Sequence, residues 1–149
     1  MGKMKNLNEG QYKPDFDIAN GYINFSSELL RLSLLAIGGL GTLVLAAIEN
    51  DGKNAIDFLT NPVSMLPSIV FFALCSGASL FHRYYASDCM SWYIAWIRAE
   101  EEEDPVESKK QYAGFKKTLK KSTNSLIISE YLFGAGVLSF IGAIIIMLT

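Results

Sequence analysis

The sequence predicts an all-α membrane protein, with three transmembrane helices and a long cytoplasmic antiparallel helical hairpin between the second and third spans. Three observations carry that expectation. Apolar residues gather into three uncharged blocks, residues 32–48, 63–81 and 131–148. The segment 83–125 is polar, yet its apolar residues recur at helical spacing. Asp104-Pro105 divides that segment into two arms of nearly equal length, as an αα-hairpin requires.

Composition supports the same class. The chain has 149 residues, half of them hydrophobic, and a mean hydropathy of +0.24. Each block is about 17 to 19 residues long, near the lower edge of the roughly 20 needed to span a bilayer. Leu29, Leu30, Leu126, Ile127 and Ile128 lengthen the first and third blocks. The division expected is a polar cytoplasmic arm, 1–28, followed by a three-span membrane domain, 29–149, that includes the hairpin 83–125.

Residues 1–13 read as disordered. From Pro14 onward Phe16, Ile18, Ala19, Tyr22, Ile23 and Phe25 recur among polar residues. That pattern fits either a short interfacial segment or an irregular arm packed on the bundle, with Asn20-Gly21 as a turn signal. No short apolar run follows a basic start, so the first span is expected to be an uncleaved anchor. Ser26 is the expected N-cap of that span, with Glu28 in its first turn. Arg31 lies one turn inside, where it needs a partner or must snorkel; Glu28, three residues back, is one candidate. Gly38, Thr42 and Ala46 recur every four residues as a helix-packing stripe.

The link to the second span turns at Asp51-Gly52. Asn61 is expected to cap that span with Pro62 at its first position. Pro67 then falls one turn inside, where it removes a hydrogen bond to Val63. Ser64, Ser68, Cys75, Ser79 and His82 follow one helical face. Two readings apply: small hydroxyls that bond their own helix and allow close packing, or a pore seam of Ser68, Ser79 and His82 with Phe72 as an apolar constriction.

The excursion beyond the membrane carries a heptad seam. Tyr85, Cys89, Trp92 and Trp96 descend; Tyr112, Phe115, Leu119, Ser122 and Leu126 ascend. Each arm reaches about 30 Å at 1.5 Å per residue. Glu100 to Glu103 are expected to face Lys109 and Lys110 across the turn, and Trp92, Trp96, Tyr112, Phe115 and Leu119 form the hairpin's interaction surface. Glu130 opens the third span at the depth of Arg31, so the two are expected to pair within a chain or between neighbours. Ala135, Ser139 and Ala143 make a second small-residue stripe.

Orientation follows from the basic residues. Segment 83–125 holds Arg83, Arg98, Lys109, Lys110, Lys116, Lys117, Lys120 and Lys121, whereas the 49–61 link holds only Lys53. The N-terminus is therefore expected in the cytoplasm and the C-terminus outside. Cys75 and Cys89 then face no oxidising compartment and read as reduced packing residues.

The chemistry of enzymes is absent from the pattern. One histidine and scattered acids lack metal-ligand spacing, no nucleophile and base stand at a convincing interval, and the lysines lack a groove-reading motif. The chain is expected to be no enzyme, to use no cofactor and to bind no nucleic acid. Two function classes remain: a homo-oligomeric effector or channel-like assembly regulated through the hairpin, and a membrane anchor or adaptor that docks a soluble cytoplasmic protein on it.

The layout LLRLSLLAIGGLGTLVLAAI, VSMLPSIVFFALCSGASLF and HRYYASDCMSWYIAWIRAEEEE resembles the SLATT-type bacterial membrane effectors over about residues 22–125. The third span departs from their two-span plan. The resemblance implies a pore-forming role in bacterial defence, in the inner membrane, triggered by a cytosolic sensor.

Overall fold

The computed structural model describes residues 9–50 and 65–148, and nothing but helices and one tight turn occurs among them. Helix α1 runs Glu9–Asn50 over 42 residues, α2 runs Leu66–Glu101 over 36, and α3 runs Pro105–Leu148 over 44. At 1.5 Å per residue these reach about 54 to 66 Å, roughly twice a hydrocarbon core of about 30 Å. All three are long and apolar enough to cross a membrane.

The helices arrange their apolar halves at one end. Leu40 of α1, Met65 and Phe72 beside and within α2, and Ala143 of α3 form one buried cluster, with Ile37, Ile69, Phe133 and Phe140 against it. At the other end Phe16 of α1 meets Tyr93 of α2, and Trp96 meets Tyr112 of α3. Contacts that descend α2 ascend α3, so the two run in opposite directions along their common length.

The interior differs from that of a water-soluble bundle. Among the described residues the most completely buried side chains are His82, Cys75, Ser26, Ser33, Ser68, Ser79 and Ser129, whereas Leu35, Leu45, Phe81 and Leu138 are 62–72 % exposed. Large apolar side chains outside and small polar ones between the helices is the distribution that lipid permits, because apolar surface gains nothing by leaving hydrocarbon and close backbone approach supplies the packing. Most of these hydroxyls stay within their own helix. Ser33 donates to the Leu29 carbonyl at 2.7 Å, Ser129 to Ser125 at 2.8 Å and Ser76 to Phe72 at 3.0 Å.

The turn between α2 and α3 is built from local chemistry. Glu103 N–H donates to Glu100 and Asp104 N–H to the Ala99 carbonyl at 3.1 Å, with Glu103 at φ 56°. This is a Schellman end with a non-glycine residue in the left-handed position. Asp104 Oδ1 then accepts from Val106 and Glu107 N–H, both at 3.1 Å, and Pro105 occupies the first helical position, where its missing N–H costs nothing.

Several local expectations are corrected. α1 is unbroken from Glu9, so residues 9–13 are helical. Pro14 and Asn20-Gly21 do not end it; a glycine inside a helix costs only about 1 kcal/mol relative to alanine, and tertiary contacts override that. Ser26 is no cap. Its hydroxyl donates back to Ile23 at 2.9 Å. Pro67 lies in the first turn of α2, where it bends nothing. Asp51, Gly52, Asn61, Pro62 and Ser64 lie outside the described residues.

Candidate functional site: a cavity between the three helices

Near the polar end of the bundle α1 leans on α2 and touches α3 sparsely. A cavity of about 580 Å³ remains between them, walled by Ile18 and Tyr22 of α1, Ala86 and Met90 of α2, and Leu119 and Leu126 of α3. Its size is that of a small-molecule site. Asp15, His82 and Glu130 also line it, and no lysine or arginine does. His82 is 2 % exposed, and its Nδ1 has no hydrogen-bond partner among the described residues.

Aromatic packing closes the end away from the apolar core. Tyr93 lies against Trp96 and Phe115, and its hydroxyl donates to Asp15 Oδ2 at 2.5 Å. Burial, then the bond to Asp15 and that residue's charge, push the Tyr93 phenol up to about 12. Burial also raises the Cys89 thiol, against a hydrogen bond with Thr118 that lowers it. Cys89 and Cys75 are both free thiols. Cys75 donates to the Ser129 carbonyl at 3.3 Å.

The residues singled out by sequence have distinct placements. On α1, Gly38, Thr42 and Ala46 are exposed. Helical geometry sets them on the side opposite Ser26, Leu29, Ser33 and Leu40, which face the chain's own core. A Cβ added at Gly38, Gly39 or Gly41 would meet nothing within 4 Å. The stripe on α3 is partly consumed: Ala143 is 3 % exposed, Ala135 and Ser139 are half-buried, and Phe72 lies 2.9 Å from where a Gly136 Cβ would stand.

Ser68, Phe72, Ser79 and His82 are all buried inside the single chain. Phe72 packs on Phe133 with ring centroids 5.7 Å apart, while the Ser68 and Ser79 hydroxyls have no partner among the described residues. Arg31 pairs with Glu28 at 3.0 Å, both side chains largely exposed. Glu130 stands apart from that pair, on the cavity.

Of the hairpin surface, Trp92 presses on Gly114, with ring atoms 2.4 to 2.8 Å from an added Cβ. Trp96 stacks on Phe115 at 6.3 Å and 15°. Tyr112 and Leu119 are 46 % and 44 % exposed. The tip acids do not reach the expected lysines. Glu100 accepts from Ser108, and Lys110 sits 3.4 Å from Glu107 of its own helix. Lys121 instead lies over the Tyr85 ring, 5.1 Å from its centroid.

No known family, curated protein or solved structure matches this chain. Among the described residues no group of three His, Cys, Asp or Glu side chains is placed to hold a metal ion. Three features escaped sequence reasoning: the cavity, the Asp15–Tyr93 bond and the seat of Trp92 on Gly114. Only the last left a local signal, a glycine interrupting a heptad arm opposite two tryptophans.

Proposed function

We propose that this chain is a non-catalytic membrane effector that works as a homo-oligomer, with its state set through a cytoplasmic helical hairpin formed by residues 83–125. The spans are residues 32–48, 63–81 and 131–148, with the N-terminus in the cytoplasm and the C-terminus outside, as the basic residues of segment 83–125 favour. One observation carries the assembly: the face of α1 that presents Gly38 and Thr42, with Leu35 beside them, is exposed and turned away from the chain's own core. Thr42 adds no polar burden there, because its hydroxyl already donates to the Gly39 carbonyl at 2.7 Å. A second copy can therefore approach closely without stranding a donor.

Pore formation in bacterial defence is the action that the SLATT-type resemblance implies. The burial of Ser68, Phe72, Ser79 and His82 within one chain means that a path between copies is lined by other residues. A trans pair of Arg31 and Glu130 belongs to the same assembly, since both side chains are exposed in the single chain. The adaptor reading has less support: of Trp92, Trp96, Tyr112, Phe115 and Leu119, the two tryptophans and Phe115 are occupied by internal packing.

The test is the mass of the purified complex, read beside ion flux in reconstituted liposomes. The proposal expects a multiple of the 16.5 kDa chain, reduced to one chain by Gly38→Leu. A monomer that passes no ions and captures a soluble protein lost on Leu119→Asp would establish the adaptor instead.

A further inference from the structure

We propose that the outer face of α3 at Lys116, Lys117, Lys120 and Lys121 binds the head groups of anionic phospholipids in the leaflet that α3 enters. The inference rests on the reading that α3 enters the membrane near Leu126, and on nothing about self-association. At 3.6 residues per turn the four lysines share one side of the helix, an arc of about 140°. All four are exposed. The arc lies opposite Thr118, Ser122, Leu126 and Ser129, which are buried against the bundle.

The same face continues into lipid. One to three turns further along α3 the lysine arc is taken over by Ile127, Ile128 and Tyr131, which are 43 %, 51 % and 77 % exposed. These are apolar and interface-seeking side chains with no protein over them. Lys120 and Lys121 stand five or six positions before Leu126, about 8 to 9 Å along the axis, and Lys116 and Lys117 about 14 to 15 Å. A head-group layer of about 5 to 8 Å on each side of the hydrocarbon reaches the first pair. The second lies within about one Debye length of its charge.

Nothing in the chain competes for these charges. From Ser108 to Ser129 the sequence holds no Asp or Glu, and the acids of the hairpin gather at its far end, Glu100 to Asp104 and Glu107. The ion pairs among the described residues are Arg31 with Glu28 and Lys110 with Glu107, so none of the four lysines is neutralised there. Lys121 is steered by an aromatic ring, with its ammonium 5.1 Å from the Tyr85 centroid. Retention of positive residues beside a span accounts for their side of the membrane. It requires neither a shared face nor a stretch free of acids, whereas attraction to a negatively charged leaflet is strengthened by both.

The full chain in nanodiscs of equimolar, acyl-matched phosphatidylglycerol and phosphatidylcholine, with retained lipids counted by native mass spectrometry, tests the proposal. Phosphatidylglycerol is expected to be retained over phosphatidylcholine about tenfold at 0.1 M ammonium acetate, with the preference falling about fivefold or less per lysine removed. At 1 M, where the Debye length is about 3 Å, the preference is expected to approach one. Changing Lys116, Lys117, Lys120 and Lys121 together to Gln is expected to abolish it. Changing Lys13, Arg98, Lys109 and Lys110 to Gln removes the same charge elsewhere and is expected to leave most of it. All eight positions are exposed, so both variants are expected to fold. A nanodisc has two equivalent faces, so the result does not depend on which side is cytoplasmic. A chain that proves monomeric leaves the lipid preference standing, and a lost preference leaves the assembly standing. Equal retention of the two lipids by the wild type, or an equal loss in the two variants, overturns the proposal. An oligouridylate that displaces phosphatidylglycerol from the wild type, and is itself lost from the Lys116, Lys117, Lys120 and Lys121 variant, assigns the face to nucleic acid and overturns it as well.

Discussion

Gly114 offers a measurement in which the sign of a substitution reports a contact. A Cβ at residue 114 would stand 2.4 Å from Trp92 Cε3 and 2.6 Å from Cδ2, well inside van der Waals distance. An indole held between two helices cannot swing clear as the end of a lysine would. Overpacking of this kind costs about 1 to 3 kcal/mol, while replacing glycine by alanine inside a helix returns about 1 kcal/mol. Gly114→Ala is therefore expected to destabilise the α2–α3 arm by roughly 1 kcal/mol, the difference between these two opposing effects. In a Trp92→Leu background the clash is gone, and the same alanine is expected to stabilise by about 1 kcal/mol. Gly21→Ala, where nothing stands within 4 Å, serves as the unobstructed control. Amide hydrogen exchange across residues 83–125 reads the opening free energy directly. If Gly114→Ala stabilises the arm in the wild-type background as it does in the Trp92→Leu background, the indole does not lie over residue 114 and the packing of the arm described above is wrong.

Three further outcomes follow from the structure. Glu103→Gly should slow amide exchange at the turn: relief of the left-handed residue is worth roughly 1 to 2 kcal/mol, and glycine's freedom in the unfolded chain takes back about 0.4 to 1 kcal/mol. Tyr93 is expected to support the arm at neutral pH and to release it in alkali. Its phenol is raised from 10.0 to about 12 by burial and Asp15, so the folded state favours the protonated form. That contribution is whole below pH 10 and is lost as pH rises toward 12, and Tyr93→Phe should erase this pH dependence in a thermal-melt series. For topology, a cysteine placed at Lys117 is expected to resist an impermeant thiol reagent in intact cells and to react after lysis; reaction in intact cells would place segment 83–125 outside.

The legible parts of this protein were those written in local sequence. Apolar runs mark the halves of the helices that share one end, Asp104-Pro105 marks the turn, and the four-residue spacing of Gly38, Thr42 and Ala46 marks an exposed small face. What local sequence misjudged was the N-terminal half of α1. Pro14, Asn20-Gly21 and Ser26 each argue for a break, and each argument is worth only about 1 to 3 kcal/mol. Contacts far along the chain outweigh them, with Phe16 on Tyr93 and the Asp15 carboxylate receiving the Tyr93 hydroxyl. Those last two partners are separated by 78 positions, and no periodicity links them. The cavity was invisible for the same reason, since its walls come from three helices and its polar groups are ordinary residues until they meet. Arg31 shows the reverse case: the nearer partner, Glu28, prevailed within the chain over the distant Glu130, as an i,i+3 pair on one helix face needs no tertiary alignment.

Self-association through the small face of α1 is the central claim, and disulfide trapping in native membranes tests it most directly. Cys75 and Cys89 are buried, so a cysteine introduced at Gly38 is the accessible thiol for cross-linking along that face. The account predicts that Gly38→Cys forms a covalent dimer rapidly under mild oxidation, while Leu43→Cys, exposed on a different side of α1, does so far more slowly. Equal trapping at the two positions, or none at Gly38, would contradict it.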